Sequence, residues 1–278
     1  MPVSERVPVT NFSASWTQVD QTSDPSFYAS LLDATRAEGL AEARRDPDAA
    51  FAPLKLQAGL RVLDVGCGTG DYLRFMAPLV APGPAVGVDL SAALISYAQR
   101  RTAPGQAKVA FQVGDACRLP FAGAAFDRVV ANQVLLHLAD PWRAVREMRR
   151  VLRPGGLLSI GEWDWDSTCL ALSDRELGRR FTHMLCDQMN NGLIARELRW
   201  QLERRGFTNV TVTPQVRLSR EPGAAHQWLI EPVTRELVRT GELTPEEGSL
   251  LLADLHERAA DGRYFLARTY YAAIAAAV

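Results

Sequence analysis

The stretch from Leu60 to Asp71, LRVLDVGCGTGD, constrains this chain more than any other. Leu60, Val62, Leu63 and Val65 form a short apolar run rich in β-branched residues, which predicts a strand buried on both faces. Gly66, Gly68 and Gly70 follow at alternate positions. Tyr72, Leu73, Phe75, Met76 and Leu79 then recur at roughly helical spacing, ending near Pro78. The unit is a strand, a glycine-rich turn and a helix. Glycine lets backbone N–H groups approach a ligand closely and lets the chain take positive φ. The helix N-terminus adds unpaired donors and partial positive charge, which suit a carboxylate or a phosphate.

Two ligand classes compete for such a unit. A dinucleotide fingerprint spaces its glycines G-x-G-x-x-G. Here Gly66, Cys67, Gly68, Thr69 and Gly70 give G-x-G-x-G after Asp64, an acid that can accept from a cationic amine. The run D-V-G-C-G-T-G closely resembles the first motif of class I S-adenosylmethionine-dependent methyltransferases. Four later motifs carry the same resemblance. Ala85–Asp89 reads as the second strand, and Asp89, about 20 residues past the glycines, stands where a carboxylate can accept both ribose hydroxyls. Leu90 follows it. Val109–Val113 reads as the third strand, and Gly114, Asp115 and Ala116 before Leu119-Pro120-Phe121 match the family's adenine-binding turn. Phe126–Val130 opens the fourth strand. After it, Asn132 and Gln133 are candidates for backbone contacts to the methionine part, and His137 is a candidate general base. Arg153-Pro154-Gly155-Gly156 precedes a fifth strand, Leu157–Glu162.

The rest of the chain surrounds this framework. Residues 1–15 read as loosely ordered. Ser23 or Asp24 can cap a helix with Pro25 at its first position, with Phe27, Leu31 and Tyr28 as candidates for its inward face, and a second helix is expected over about Pro47–Ala58. Trp16, Gln18, Asp20 and Tyr28 are lid candidates. Trp163, Asp164 and Trp165 follow the fifth strand's carboxyl end as candidates for substrate contact, the tryptophans by stacking or by covering a sulfonium. Residues 170–200 look helical, interrupted at Asn190-Asn191-Gly192. Another helix follows over Arg196–Arg205, then a sixth strand over Phe207–Thr213. Helices over about 222–240 and 245–260 precede a seventh strand, Tyr264–Ile274, and Ala272–Val278 reads as a short apolar tail.

The net charge of −1 makes no case for nucleic acid as the main partner, and the Arg-rich stretch from Arg143 to Arg153 reads as the solvated face of an amphipathic helix. MPVSERVPVT has no apolar run that would serve as a signal peptide, and no stretch approaches the roughly 18 apolar residues of a membrane span. Cys67, Cys117, Cys169 and Cys186 make no C-x-x-C pair, and His137, His183, His226 and His256 are dispersed. A cytoplasmic protein without a metal is therefore expected.

The chain is similar to methyltransferases of the ubiquinone/menaquinone-biosynthesis type. That resemblance implies a Rossmann-like α/β fold with a seven-stranded, mostly parallel sheet whose last strand is antiparallel. It divides the chain into an N-terminal helical segment or lid, 1–58, and a methyltransferase domain, 59–278, with helical caps at about 166–200 and 220–261. It implies S-adenosyl-L-methionine as cofactor, held by Asp64, Gly66, Cys67, Gly68, Gly70, Asp89, Leu90, Asp115, Ala116, Asn132 and Gln133. It further implies methyl transfer to O, N or C of a small molecule, in a monomer or homodimer. Cyclisation or rearrangement by a cofactor-binding enzyme is the alternative.

Overall fold

The computed structural model describes residues 16–22, 24–46, 51–102 and 108–278. Residues 1–15, Ser23 and the start of the helix expected from Pro47 lie outside these. The strands are β1 (Val62–Val65), β2 (Ala85–Asp89), β3 (Val109–Val113), β4 (Phe126–Asn132), β5 (Leu152–Leu170), β6 (Phe207–Ser219) and β7 (Leu266–Ala277). They form one sheet in the order β3-β2-β1-β4-β5-β7-β6. β7 lies antiparallel between β5 and β6, while β1 to β5 pair in parallel. All four residues of β1 are buried, as a strand covered on both faces requires. Chain connections leave β1 in opposite directions towards β2 and β4, so a crevice opens at the carboxyl ends of these strands.

The helices are α1 (Pro25–Arg45), α2 (Asp71–Val80), α3 (Ala92–Arg100), α4 (Pro141–Val151), α5 (Arg175–Asp187), α6 (Ile194–Glu203), α7 (Glu231–Thr240) and α8 (Pro245–Ala260). Alternation along β1 feeds two cores. Val62 packs with Leu73, Met76, Ile95 and Phe111 under α2 and α3. Leu63 and Val65 share a larger core with Met148, Ile160, Phe181 and Leu198. In α4, Ala144, Val145, Met148 and Val151 are buried, while Arg146 pairs with Asp140 and Arg150 with Glu147. That arginine stretch is accordingly an amphipathic surface. Among the described residues no helix is long and apolar enough to cross a membrane.

Three expectations need correction. The helix expected up to Ala58 ends earlier: Phe51 is its last helical residue, a 3-10 turn follows over Ala52–Leu54, and Lys55 then turns left-handed at φ 48°. Arg128 then fastens that turn by donating to the carbonyls of Leu54 and Lys55. The first helix runs to Arg45, as its Ala-, Glu- and Arg-rich sequence favours. β5 extends to Leu170, so Trp163–Ser167 lie within the strand rather than beyond it. Strand-favouring Trp163, Trp165 and Thr168 and a long partner make this possible. β7 pairs with β5 as far as Asp164, breaks register, and resumes at Cys169, with the Ser167 hydroxyl accepting from the Thr269 N–H at 2.9 Å across the break. Finally, Ala272–Ala277 is no tail but the inner end of β7, held between β5 and β6.

Candidate active site

The glycine turn sits at the crevice. Gly66 and Cys67 both donate to the Val88 carbonyl, at 2.7 and 3.0 Å, tying the turn to β2. Gly66, Gly68 and Gly70 all have positive φ, 67°, 54° and 79°. Space forbids a side chain as strongly as conformation does. A Cβ on Gly66 would stand 2.4 Å from Val134, and one on Gly68 2.7 Å from Leu32. A turn held this tightly offers a backbone cradle for an extended ligand.

Asp89 closes β2 beside that cradle. Its Oδ2 accepts from the Gly68 N–H at 2.8 Å and its Oδ1 from the Ser91 N–H at 3.0 Å. Each oxygen keeps a further lone pair for a ligand hydroxyl. Burial pushes its carboxyl above the ordinary value, although the two N–H donors and Arg36 oppose this. Asp64 lies beneath the turn, where burial and the neighbouring Asp89 outweigh Arg36 and lift it to about 7. At the end of β3, Asp115 Oδ1 accepts from the Cys117 N–H at 2.7 Å, an Asx turn that shapes the loop.

One cavity unites most of the residues singled out from the sequence. Gly66, Gly68, Asp89, Leu90, Asp115, Ala116 and Gln133 line one end, and His137, Trp163 and Trp165 line the other. Trp16 joins them, its ring centroid 5.5 Å from that of His137. Tyr28 is buried behind Trp16, edge-on at 5.1 Å. Asp20 caps α3, accepting from Ser91, Ala92 and Ala93, so the N-terminal segment is fastened next to Asp89; Gln18 is exposed. Asp64, Cys67, Gly70, Asn132 and Asp164 are not in the cavity lining. Asn132 accepts from the Tyr270 hydroxyl at 2.8 Å, and Asp164 pairs with Arg196 at 2.9 Å.

Sequence reasoning missed Arg36, Glu162, Trp228 and Arg268. Arg36 is buried, lines the cavity and donates to the Cys67 carbonyl at 3.2 Å, its guanidinium crowding the Gly68 Cα. Its spacing from Leu32 on one face of α1 was the available signal. Glu162 is fully buried, its Oε1 accepting from the N–H groups of Val134 and Leu135 at 3.0 and 2.7 Å. It thereby fixes the loop after β4, where Gln133 takes a φ of 56°. Burial dominates its titration and raises its carboxyl to about 8. Arg268 lies 4.5 Å from the Trp163 ring centroid and 5.2 Å from that of Trp165. The cation that these rings face is thus the protein's own. Trp165 Nε1 is buried without a hydrogen-bond partner among the described residues.

A sheet of this order, with an acid after β2 and a glycine cradle at the switch point, defines the class I S-adenosylmethionine-dependent methyltransferase fold. Residues 63–160 match the family described as "Methyltransferase domain". Three relatives extend the match. A 37.1 kDa protein of transposon TN4556 from Streptomyces fradiae is 37% identical, covering 81% of this chain and 64% of that protein. The 27-O-demethylrifamycin SV methyltransferase of Amycolatopsis mediterranei is 38% identical over 40% of this chain and 41% of its own length. The demethylmenaquinone methyltransferase of Lactiplantibacillus plantarum is 31% identical over 58% of this chain and 75% of its own. Among solved structures, YcgJ of Bacillus subtilis has the same fold, with a TM-score of 0.57, 18% identity and coverage of 82% of this chain and 96% of that one. The chain belongs to the S-adenosylmethionine-dependent methyltransferase family of the ubiquinone/menaquinone-biosynthesis type. The chain spans 64% and 41% of the length of the first two of these relatives, less than two thirds of each.

Proposed function

We propose that this chain binds S-adenosylmethionine at the glycine-lined end of the cavity and methylates a small, flat acceptor held at its tryptophan-lined end. The observation that carries this is the single cavity joining Gly66, Gly68 and Asp89 to His137, Trp163, Trp165 and Arg268. The residues fit the cofactor. Asp89 retains lone pairs for two ribose hydroxyls, and Leu90 and Ala116 offer apolar surface for a base beside Asp115. Arg36, buried and in the cavity lining, would supply the cation for a carboxylate.

When bound, the cofactor supplies a methyl group already activated by its positive sulfur. The protein's own work is alignment and exclusion of water. Trp16, Trp163, Trp165 and Trp228 enclose the acceptor end. The Trp165 indole N–H is a donor for an acceptor oxygen, since a buried donor without a partner costs about 1–3 kcal/mol. Arg268 sets a positive charge over the same rings, favouring an acceptor that reacts as a phenolate or enolate. His137 is placed to take a proton from an acceptor that is less acidic. On this basis residues 1–58 lid a methyltransferase domain, 59–278, whose caps at about 166–200 and 220–261 choose the acceptor.

Incubating the full chain with S-adenosylmethionine and a panel of phenols, naphthoquinols and enolised polyketides tests the reading. It predicts a product heavier by one methylene together with S-adenosylhomocysteine. Product of unchanged mass without S-adenosylhomocysteine would instead indicate rearrangement, and refute methyl transfer.

A further inference from the structure

Behind the acceptor wall lies a second group of side chains that the proposed methyl transfer does not use. His226, Glu231 and His256 bring one ligating atom each to within 4.8 Å of one another. The dispersed spacing of the histidines hides this, because His226 and His256 meet only when α8 packs beside the segment leading into α7.

The local backbone explains why His226 and Glu231 face each other. Residues His226–Ile230 form a π-helical turn, with the Glu231 N–H donating to the His226 carbonyl. In a regular α-helix, residues five apart point about 140° away from each other. The wider turn brings them to one side, and His226 Nε2 lies 3.4 Å from Glu231 Oε1. Such turns are uncommon and concentrate at functional sites.

The chemistry of the three groups is that of a metal site. His226 is 2% exposed, and its Nε2 has no hydrogen-bond partner of good geometry among the described residues. Its Nδ1 is 3.4 Å from the buried Tyr264 hydroxyl, the outer-sphere partner that fixes a ligating tautomer. The second oxygen of Glu231 is held by Arg235 at 2.9 Å, which orients the first. His256 is exposed, so its ring can close towards the others. Tetrahedral zinc bonds of about 2.0–2.2 Å put ligand atoms about 3.3–3.6 Å apart, a modest contraction of the observed cluster.

We propose that His226, Glu231 and His256 bind a divalent transition metal of the zinc class, with a fourth position open to water. The neighbouring Ala225, Trp228 and Leu229 line the acceptor cavity. The ion therefore clamps that wall from behind, fixing the cap without entering the reaction. The site stands or falls independently of methyl transfer.

Titration of metal-free full-length protein with Zn²⁺, followed by calorimetry and by thermal unfolding, tests this. One equivalent should bind and raise the Tm. Because His256 is exposed, His256→Gln should fold normally, yet lose at least tenfold in Zn²⁺ affinity together with the Tm rise. Cys169→Ser should keep both. Absence of binding by the wild type, or an affinity unchanged in His256→Gln, would overturn the proposal.

Discussion

The two ends of the cavity are built by opposite means. The proposed cofactor end is made of strand termini and short turns: Gly66 and Gly68 after β1, Asp89 at the end of β2, Asp115 after β3 and Gln133 after β4. The proposed acceptor end is made of side chains brought from far apart: Trp16, His137, Trp165, Trp228 and Arg268. At the first end, local sequence fixes geometry, since a glycine with positive φ tolerates no replacement. At the second, geometry depends on tertiary packing, and side chains can change without disturbing the sheet. One end can therefore stay constant while the other varies with the acceptor.

Breaking the cofactor end should have the largest effect. Gly66→Ala adds a Cβ 2.4 Å from Val134 at a φ of 67°. Left-handed strain at a non-glycine residue costs about 1–3 kcal/mol, so a lowered Tm and at least a tenfold loss of S-adenosylmethionine affinity are expected. Wild-type affinity in this variant would show that the turn does not form the cradle.

The acceptor end should respond differently. Trp165→Phe keeps the aromatic plane and removes the N–H. It should lower kcat/KM for the acceptor by about fivefold to tenfold, the worth of one hydrogen bond of roughly 1 kcal/mol. Cofactor affinity should stay within about twofold. Equal losses in both would contradict the division between the ends.

Glu162 joins the two ends, and its effect falls on the pH dependence of stability rather than on binding. Its folded pKa of about 8 lies above the ordinary 4.5. The folded state thus holds a proton that the unfolded state releases, and stability falls as pH rises from about 4.5 through 8. Asp64, raised to about 7, contributes in the same direction. Glu162→Gln keeps an acceptor for Val134 and Leu135. Thermal unfolding across this window should show a flatter decline than in the wild type. An identical slope would mean that Glu162 is charged in the fold.

This contrast also explains what could be read from the residues. β1, β2, β3 and the acid at Asp89 follow from local periodicity and turn chemistry, and the structure has them within two residues of expectation. The extension of β5 through Trp163–Leu170 does not, because an acidic WDWDS segment forms strand only when β7 arrives to pair with it. Arg36 was hidden for a similar reason. Its helix continues past a glycine, and only packing on Gly68 gives the residue meaning. Asp164 looked like a substrate ligand from its neighbours in sequence, whereas Arg196, on a separate helix, takes it as an ion-pair partner.

The central claim is that the Gly66–Gly70 turn and Asp89 together hold S-adenosylmethionine. Calorimetric titration of the wild type and Asp89→Ala with S-adenosylhomocysteine tests it most directly, because no acceptor is required. One equivalent should bind to the wild type, and the variant should bind about tenfold to a hundredfold more weakly, the cost of roughly 1–3 kcal/mol for unpaired ribose hydroxyls. No binding to the wild type at millimolar ligand, or equal affinity in the two proteins, would contradict the account.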